Sequence, residues 1–395
     1  MRILHVIPSV AARYGGPSTA VGQMCRALAA AGHDVTLVAT DADGDGTIAA
    51  PPADLEAPGL CVRLFPRQWS EAFKYSRPLR RWLDAHVHEF DLVHVHALLS
   101  HACLAAAAAS RRAGVPYIIR PLGTLDGWSL AQKPWRKRLL LAAGGRRALA
   151  GAAAVHYTAA AEQAQVASAF DTRGGFVVPL GLDESLFEKP VPYAARAASP
   201  YVLALSRLHP VKALDALIDA FAQRVRHPWR LVIAGDGDPA YVSGLRTLAA
   251  GLPGGSDVEF TGWVDGGRKR ELLRNASLLA LPSHHENFGV SLGEALASAT
   301  PALVSPHVLV SREIAEAGAG WVCGNAVADL AAGLDRVLAD ADGRAAASTA
   351  ARTFAESLAW PCVIERLVRE YETVVRGART ADAHQEAAAG GCGTR

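Results

Sequence analysis

The sequence predicts an α/β protein made of two doubly wound, Rossmann-like domains that face each other across a crevice. Three observations predict it. Short apolar runs alternate with helical patterns along most of the chain, the rhythm of a parallel sheet with crossover helices. The alternation stops in a polar stretch holding three prolines, 181–200, and restarts at Tyr201. With 395 residues, 50% of them hydrophobic, each half has enough apolar material for its own core.

In the first half, 3–7 is a compact apolar run suited to a central strand. A loop with Gly15 and Gly16 follows, then a helix capped near Ser18 and running to about Ala31, then a strand at 35–39. A glycine pair at the first βα turn suits a close backbone approach, although turn glycines also serve structure alone. Residues 41–60, rich in Asp, Gly, Ala and Pro, predict a flexible surface loop. A strand at 61–65 and a helix at 78–90 come next. The strand 91–96 puts His94 and His96 on one face. No third ligand follows at a usual spacing, so no metal is expected there. His96, near the strand's end, is a candidate crevice residue or a core histidine.

The strand 115–120 ends in Arg120, placed for an anionic group or for a surface salt bridge. Residues 133–147 carry six basic and no acidic side chains beside Trp128, Trp135 and leucines. Such a stretch is either a solvated helix face or a contact for an anionic membrane and a lipid-phosphate acceptor. Strands at 153–158 and 176–179 close the half.

The second half repeats the pattern, with strands at 201–205, 230–234, 258–262, 277–281 and 302–305. Helices are predicted at 212–225, 268–275 and from 288, with a turn around Val322. A final helix at 360–375 places Val363, Ile364, Leu367, Val368 and Tyr371 at helical spacing. The tail after Arg376 has no apolar periodicity and is expected to be disordered. The domains expected are 1–185 and 198–358, then a helix at 359–377 and a tail at 378–395.

The most informative stretch is 283–294. Glu286 falls in a strand-to-helix loop and Glu294 about two turns into the helix, with Val290, Leu292, Ala295 and Leu296 facing inward. The amides of Phe288, Gly289 and Val290 open that helix, where the macrodipole favours phosphate or growing negative charge. Taken by spacing alone, the two carboxylates are equally well a loop glutamate and a solvated helix glutamate. Arg207 and Lys212 flank the turn after the first strand of this half; they could converge on a diphosphate or simply be solvated.

The string Glu286-Asn287-Phe288-Gly289-Val290-Ser291-Leu292-Gly293-Glu294 resembles the Glu-x7-Glu signature of the retaining family 4 (group 1) glycosyltransferases. Arg207-Leu208 through Lys212 resembles that family's Arg-Leu-x-x-x-Lys-Gly motif, with Ala213 where the family has glycine. Gly235-Asp236-Gly237 resembles its Gly-x-Gly turn, and Trp263-Val264 follows a strand where the family's main chain meets the base. The Arg120-Pro121-Leu122-Gly123 and Ser283-His284 stretches resemble the bacterial polysaccharide-assembly members.

The resemblance implies the GT-B fold, with the final helix returning to the first domain. It implies a nucleotide-sugar substrate, no cofactor and no metal. Arg207 and Lys212 would neutralise the diphosphate, Glu286 would lie at the donor sugar and Glu294 at the ribose. Gly15, Gly16, Gly235, Gly237, Trp263, Val264, Asn287, Phe288, Gly289 and Val290 would line the donor site. His96 and Arg120 fall on the acceptor side. Many members place a histidine where Leu122 stands, so that role does not carry over. The acceptor would be a glycan or a polyprenyl-linked glycan. A nucleotide-sugar 2-epimerase shares the fold and is the rival, as is a non-catalytic partner subunit.

Charge excludes one class. Lys+Arg 40 against Asp+Glu 38 gives +2, so no global field points to nucleic acid. Six scattered cysteines without a Cys-x-x-Cys pair fit reduced thiols. No signal peptide or spanning run is seen, so a soluble, cytoplasmic chain is expected, touching the inner face of the membrane at most.

Overall fold

The computed structural model describes all residues except 132–133, 188, 225–227, 253–256 and 391–395. Val225, placed at the end of a helix by the sequence, lies outside the described residues. The chain divides into two units, 1–181 with 360–395, and 182–359.

The first unit is built on β1 (Arg2–Ser9), β2 (Asp34–Thr40), a small hairpin of β3 (Ala42–Asp43) and β4 (Gly46–Thr47), and β5 (Leu60–Phe65). It continues through β6 (Leu92–His96), β7 (Tyr117–Arg120), β8 (Ala154–Tyr157) and β9 (Gly175–Val177). Seven of these pair in parallel in the order β5-β2-β1-β6-β7-β8-β9. The inner strands are mostly apolar and largely buried because helices cover both faces, with His5, His94, His96 and Arg120 enclosed among them. The chain runs outward from β1 to β5 and then returns to the other side of β1. The order therefore reverses between β1 and β6.

Several boundaries differ from expectation. The first helix spans Gly16–Ala30 with Gly15 as its N-cap, and Ser18 instead donates its hydroxyl to the Ser9 carbonyl at 2.9 Å. Within 41–60 the β3–β4 hairpin orders the chain, with Ala42 buried. The alanine-rich segment forms a helix, His101–Ala113, capped by Ser100 and ended by Gly114 in the left-handed region.

The second unit has β10 (Tyr201–Leu205), β11 (Arg230–Ala234), β12 (Val258–Gly262), β13 (Leu278–Leu281), β14 (Ala302–Val304) and β15 (Gly320–Val322). These form one parallel sheet in the order β12-β11-β10-β13-β14-β15. The expected turn around Val322 is an edge strand in register with β14. Its order reverses between β10 and β13, and loops leaving the carboxyl ends of strands at such a reversal are where open α/β sheets bind ligands.

The segment expected as a linker is instead pinned to the second unit. Arg196 donates to the carbonyls of Ala276, Ala299, Ser298 and Val191 and to Thr300 Oγ1, all at 3.0 to 3.1 Å. The final helix, Trp360–Gly390, runs past the expected tail boundary and belongs to the first unit. Its Val363, Ile364, Leu367, Tyr371 and Val375 are buried.

Candidate active site

In the second unit, the loops after β10 and β13 are the two that flank the reversal. The β10 loop ends in a tight turn at Pro210–Lys212, begun by His209, whose Nδ1 accepts from the Val211 amide at 3.2 Å. Ala213 closes it at φ 50°, ψ 41°, a left-handed conformation that explains why glycine suits this position. The β13 loop is tied to it by the His284 amide, which donates to the Val211 carbonyl at 2.8 Å. Glu286 is held from behind: its amide donates to the His307 carbonyl at 3.1 Å, and its carbonyl accepts from Leu309 at 2.9 Å. The backbone thus fixes both loops, and Lys212 Nζ donates directly to Glu286 Oε2. Both side chains are mostly buried.

Gly289 stands at φ 78°, and a Cβ there would press on Leu281 and Glu286 at 3.1 and 3.3 Å. It caps the helix Val290–Ala297, whose ladder begins at Leu292 and Gly293 donating to the Gly289 carbonyl. The amides of Val290 and Ser291 lie ahead of that ladder and remain open to an anion. Phe288, Leu292, Ala295 and Leu296 pack inward. Val290, expected inside, is exposed. Asn287 occupies the loop between Glu286 and Phe288, partly buried.

Glu294 is buried, and its Oε1 accepts from Lys269 Nζ at 2.6 Å. Burial raises its pKa, and the Lys269 ammonium opposes the rise. Gly235, at φ 140°, and Gly237 let the β11 loop meet the β10 loop: a Cβ on either would lie 1.9 Å from the Ser206 or Leu208 carbonyl oxygen. The Leu208 amide donates to Asp236 at 2.8 Å and the Gly235 amide to Gly262 at 2.9 Å. These glycines are thus required by the packing of three neighbouring loops. Trp263 stands 72% exposed after β12, with Val264 half-buried beside it. Arg207 is exposed; its carbonyl accepts from the Ser206 hydroxyl at 3.2 Å.

In the first unit, Gly15 sits at φ 73° with open space around it, and Gly16 begins the helix after β1. His96 and Arg120, expected to face substrate, are both buried. His5 of β1 joins them, a third histidine beside His94 and His96 that comes from the neighbouring strand; ring atoms of the three lie within 4.8 Å. Burial holds the pKa values of all three down, reinforced by the neighbouring histidines at His94 and His96 and by the Arg120 guanidinium. For His5 the value falls to about 3. A fixed positive charge there opposes a cation, and the rings hydrogen-bond one another instead: His5 Nδ1 and His96 Nε2 are 2.9 Å apart.

A second chain of bonds has one direction. His156 Nε2–H donates to the Val178 carbonyl at 2.8 Å, which leaves its Nδ1 as an acceptor. His94 Nε2 then donates to it across 3.4 Å, and the Tyr371 hydroxyl donates to His94 Nδ1 at 2.6 Å. Arg120 reaches Thr158 Oγ1 at 3.3 Å, while Glu162 accepts from the Thr158 and Gly123 amides.

Two family models match the chain: the glycosyl transferase 4-like domain over residues 15–181 and glycosyl transferases group 1 over residues 188–354. This chain is a group 1 glycosyltransferase. A D-inositol 3-phosphate glycosyltransferase of Frankia alni is 28% identical over 93% of this chain and 96% of its own length. That of Gordonia bronchialis is 31% identical, over 47% of this chain and 43% of its own length, so there the match spans less than half of the relative. Among solved structures, Anabaena HepE in complex with UDP and glucose superposes with a TM-score of 0.74 at 20% identity, over 94% of this chain and 99% of that one. WaaG, a glycosyltransferase of lipopolysaccharide biosynthesis, gives 0.65 at 18%, over 90% and 97%. These likenesses show the GT-B fold.

In the glycosyltransferase the second unit brings Lys212, Glu286 and the start of the helix Val290–Ala297 together. Two features were missed in the sequence. The Lys212–Glu286 contact joins residues expected to meet substrate separately, and Lys269, which no motif singled out, meets Glu294. Only a cross-element contact reveals either.

The basic stretch folds as a helical run, Pro134–Leu140, Leu141–Gly145 and Arg146–Ala150. Trp135 and Leu139, one turn apart, are 65% and 62% exposed, while Leu141, Ala148 and Leu149 pack inward. Lys137 folds back onto Ser129, and the Arg136 guanidinium lies 5.2 Å from the Trp135 ring. Lys133 lies outside the described residues. No helix among those described is long and apolar enough to cross a membrane.

Proposed function

We propose that this glycosyltransferase moves a hexose-type sugar from a nucleoside-diphosphate donor to a glycan or lipid-linked glycan in bacterial polysaccharide assembly, with retention and without a metal cofactor. The observation that carries the reading is the Lys212–Glu286 contact at the strand-order reversal, beside the open amides of the helix at Val290. A cation, an acid and a helix tip are thereby held on fixed backbone where a sugar diphosphate needs all three.

As the bond from the anomeric carbon to phosphate breaks, negative charge grows on the departing diphosphate. Arg207, Lys212 and the amides ahead of the helix ladder stabilise it by preorganised electrostatics. Glu286 accepts from donor hydroxyls while fixing the Lys212 ammonium. Glu294 takes the ribose, and the Trp263–Val264 loop meets the base. The acceptor oxygen bonds to the anomeric carbon on the face being vacated, and its proton passes to the departing phosphate oxygen. No protein nucleophile is required.

Relatives act on inositol 3-phosphate by name, and HepE is seen with UDP and UDP-glucose. UDP is therefore the first probe. Thermal shifts with UDP, GDP and ADP, each with and without a chelator, test the donor reading. One of them at a hundredfold excess over its Kd stabilises the protein by about 2.7 kcal/mol, chelator or not. No shift with any of the three rejects it. The exposed Trp135 and Leu139 among arginines fit an anionic bilayer bearing the acceptor. Absence of co-sedimentation with anionic vesicles removes that part of the proposal alone.

A further inference from the structure

Glu294 is a buried carboxylate with one oxygen in use. The residue is 9% exposed; Oε1 accepts from Lys269, and Oε2 has no hydrogen-bond partner among the described residues. A bare carboxylate oxygen inside protein is costly unless a donor arrives. Lys269 lies in the helix Gly266–Asn275, which opens directly after the Trp263–Val264 loop, whereas Glu294 lies in Val290–Ala297. One ion pair therefore links the helix behind the base-contacting loop to the helix that carries the ribose contact.

We propose that Lys269 is a positioning residue for the nucleotide: it holds Glu294 by Oε1 so that Oε2 is presented to the ribose hydroxyls. This rests on the reading of Glu294 as the ribose contact. The charged surroundings are simple. Lys269 is the charged group that acts on Glu294, and the packed strands β13 and β14 bring only apolar residues. Arg352, from the helix Ala341–Glu356, binds the far end at the Ala297 carbonyl, 2.7 Å away. Arg344 of the same helix is spent on the Val337 and Leu338 carbonyls.

Without the ammonium, burial acts on Glu294 unopposed and the carboxyl takes up a proton at a higher pH. A protonated Glu294 accepts ribose hydroxyls less well, so nucleotide affinity then falls as pH drops, and it starts to fall sooner than in the wild type. The test is calorimetric Kd from pH 8 to 5.5 for wild type, Lys269→Met and Lys269→Arg. The ligands are whichever of UDP, GDP and ADP binds the wild type, and its 2′,3′-dideoxy form. Lys269→Met is expected to weaken the ribonucleotide roughly tenfold at the acid end, about 1.4 kcal/mol. The dideoxy form should hardly respond, and Lys269→Arg should restore the profile. Where Lys269→Met folds poorly, Lys269→Gln carries the same comparison. Equal losses on both ligands, or none, overturn the inference while the donor reading survives. A wild type that binds none of the three nucleotides overturns both.

Discussion

In the first unit, four neutral imidazoles are sealed away beside the Arg120 guanidinium: His5, His94, His96 and His156 are fully buried, hydrogen-bonded to one another, to Tyr371 and to the Val178 carbonyl. In the second, two carboxylates are paired with cations, Lys212 with Glu286 and Lys269 with Glu294, each pair partly open to solvent. Both arrangements follow strand-order reversals in parallel sheets. The difference teaches what each reversal is built for. Neutral rings locked in one hydrogen-bond order specify packing, because every donor needs its acceptor in place. Paired charges that still reach solvent can take up a ligand, as proposed above. Loss of the first should therefore appear as instability, and loss of the second as lost turnover.

Acid is the strongest way to break the contrast. Each buried histidine has its pKa depressed below the ordinary 6.5, chiefly by burial. Below pH 6.5 the unfolded chain takes up protons that these native rings refuse, so stability is present above that pH and is lost as pH falls. Each ring contributes a slope of about 1.4 kcal/mol per pH unit. Glu162 and Glu294, whose pKa values are raised by burial, work in the opposite direction but are fewer. The unfolding midpoint of the first unit is expected to drop steeply between pH 6.5 and 5.5. A flat midpoint across that range would mean that the rings are not neutral.

The second unit offers the complementary break. On the proposed mechanism Lys212→Ala removes a counter-charge to the leaving diphosphate and is expected to raise the barrier by about 3 kcal/mol, lowering kcat roughly a hundredfold or more. The fold should hardly notice, since Glu286 keeps its backbone bonds to His307 and Leu309 and part of its side chain meets water. Turnover and thermal unfolding measured on one preparation separate the two effects. Unfolding that falls as far as turnover would place Lys212 with the structural groups of the first unit.

Much of this was legible before any coordinates. The central strands were visible because parallel strands covered on both faces are plain apolar runs. The candidate donor residues stood out because Arg207, Lys212 and Glu286 lie on short loops, with Glu294 in the helix that follows, in a pattern that resembles the family's motifs. What stayed hidden was whatever depends on a neighbour from elsewhere in the chain. Spacing showed His94 and His96 together but not His5, which joins them by lateral register with β6. Arg120 looked like a strand-end cation and is enclosed beside those rings. The tail beyond Arg376 lacks apolar periodicity, yet it continues the helix of Trp360 as far as Gly390, since alanine-rich sequence needs no packed face to be helical. The polar segment at 182–200 looked like a linker because nothing local reveals that Arg196 finds five acceptors from distant loops and from Val191.

The finest test concerns one hydroxyl. Tyr371 of the last helix donates to His94 Nδ1 and so closes a chain whose direction the Val178 carbonyl sets through His156 and His94. Tyr371→Phe keeps the ring packed but leaves a buried imidazole nitrogen without a donor, which costs about 1 to 3 kcal/mol. His94→Leu orphans His156 Nδ1 in its turn but leaves Tyr371 no imidazole to serve, so Tyr371→Phe should cost less in that background than in the wild type in chemical denaturation. Such coupling would show that the histidines of the first unit act through their hydrogen bonds. If Tyr371→Phe costs nothing, the last helix is held by Val363, Ile364 and Leu367 alone, and the contrast between the units narrows to apolar packing against charge.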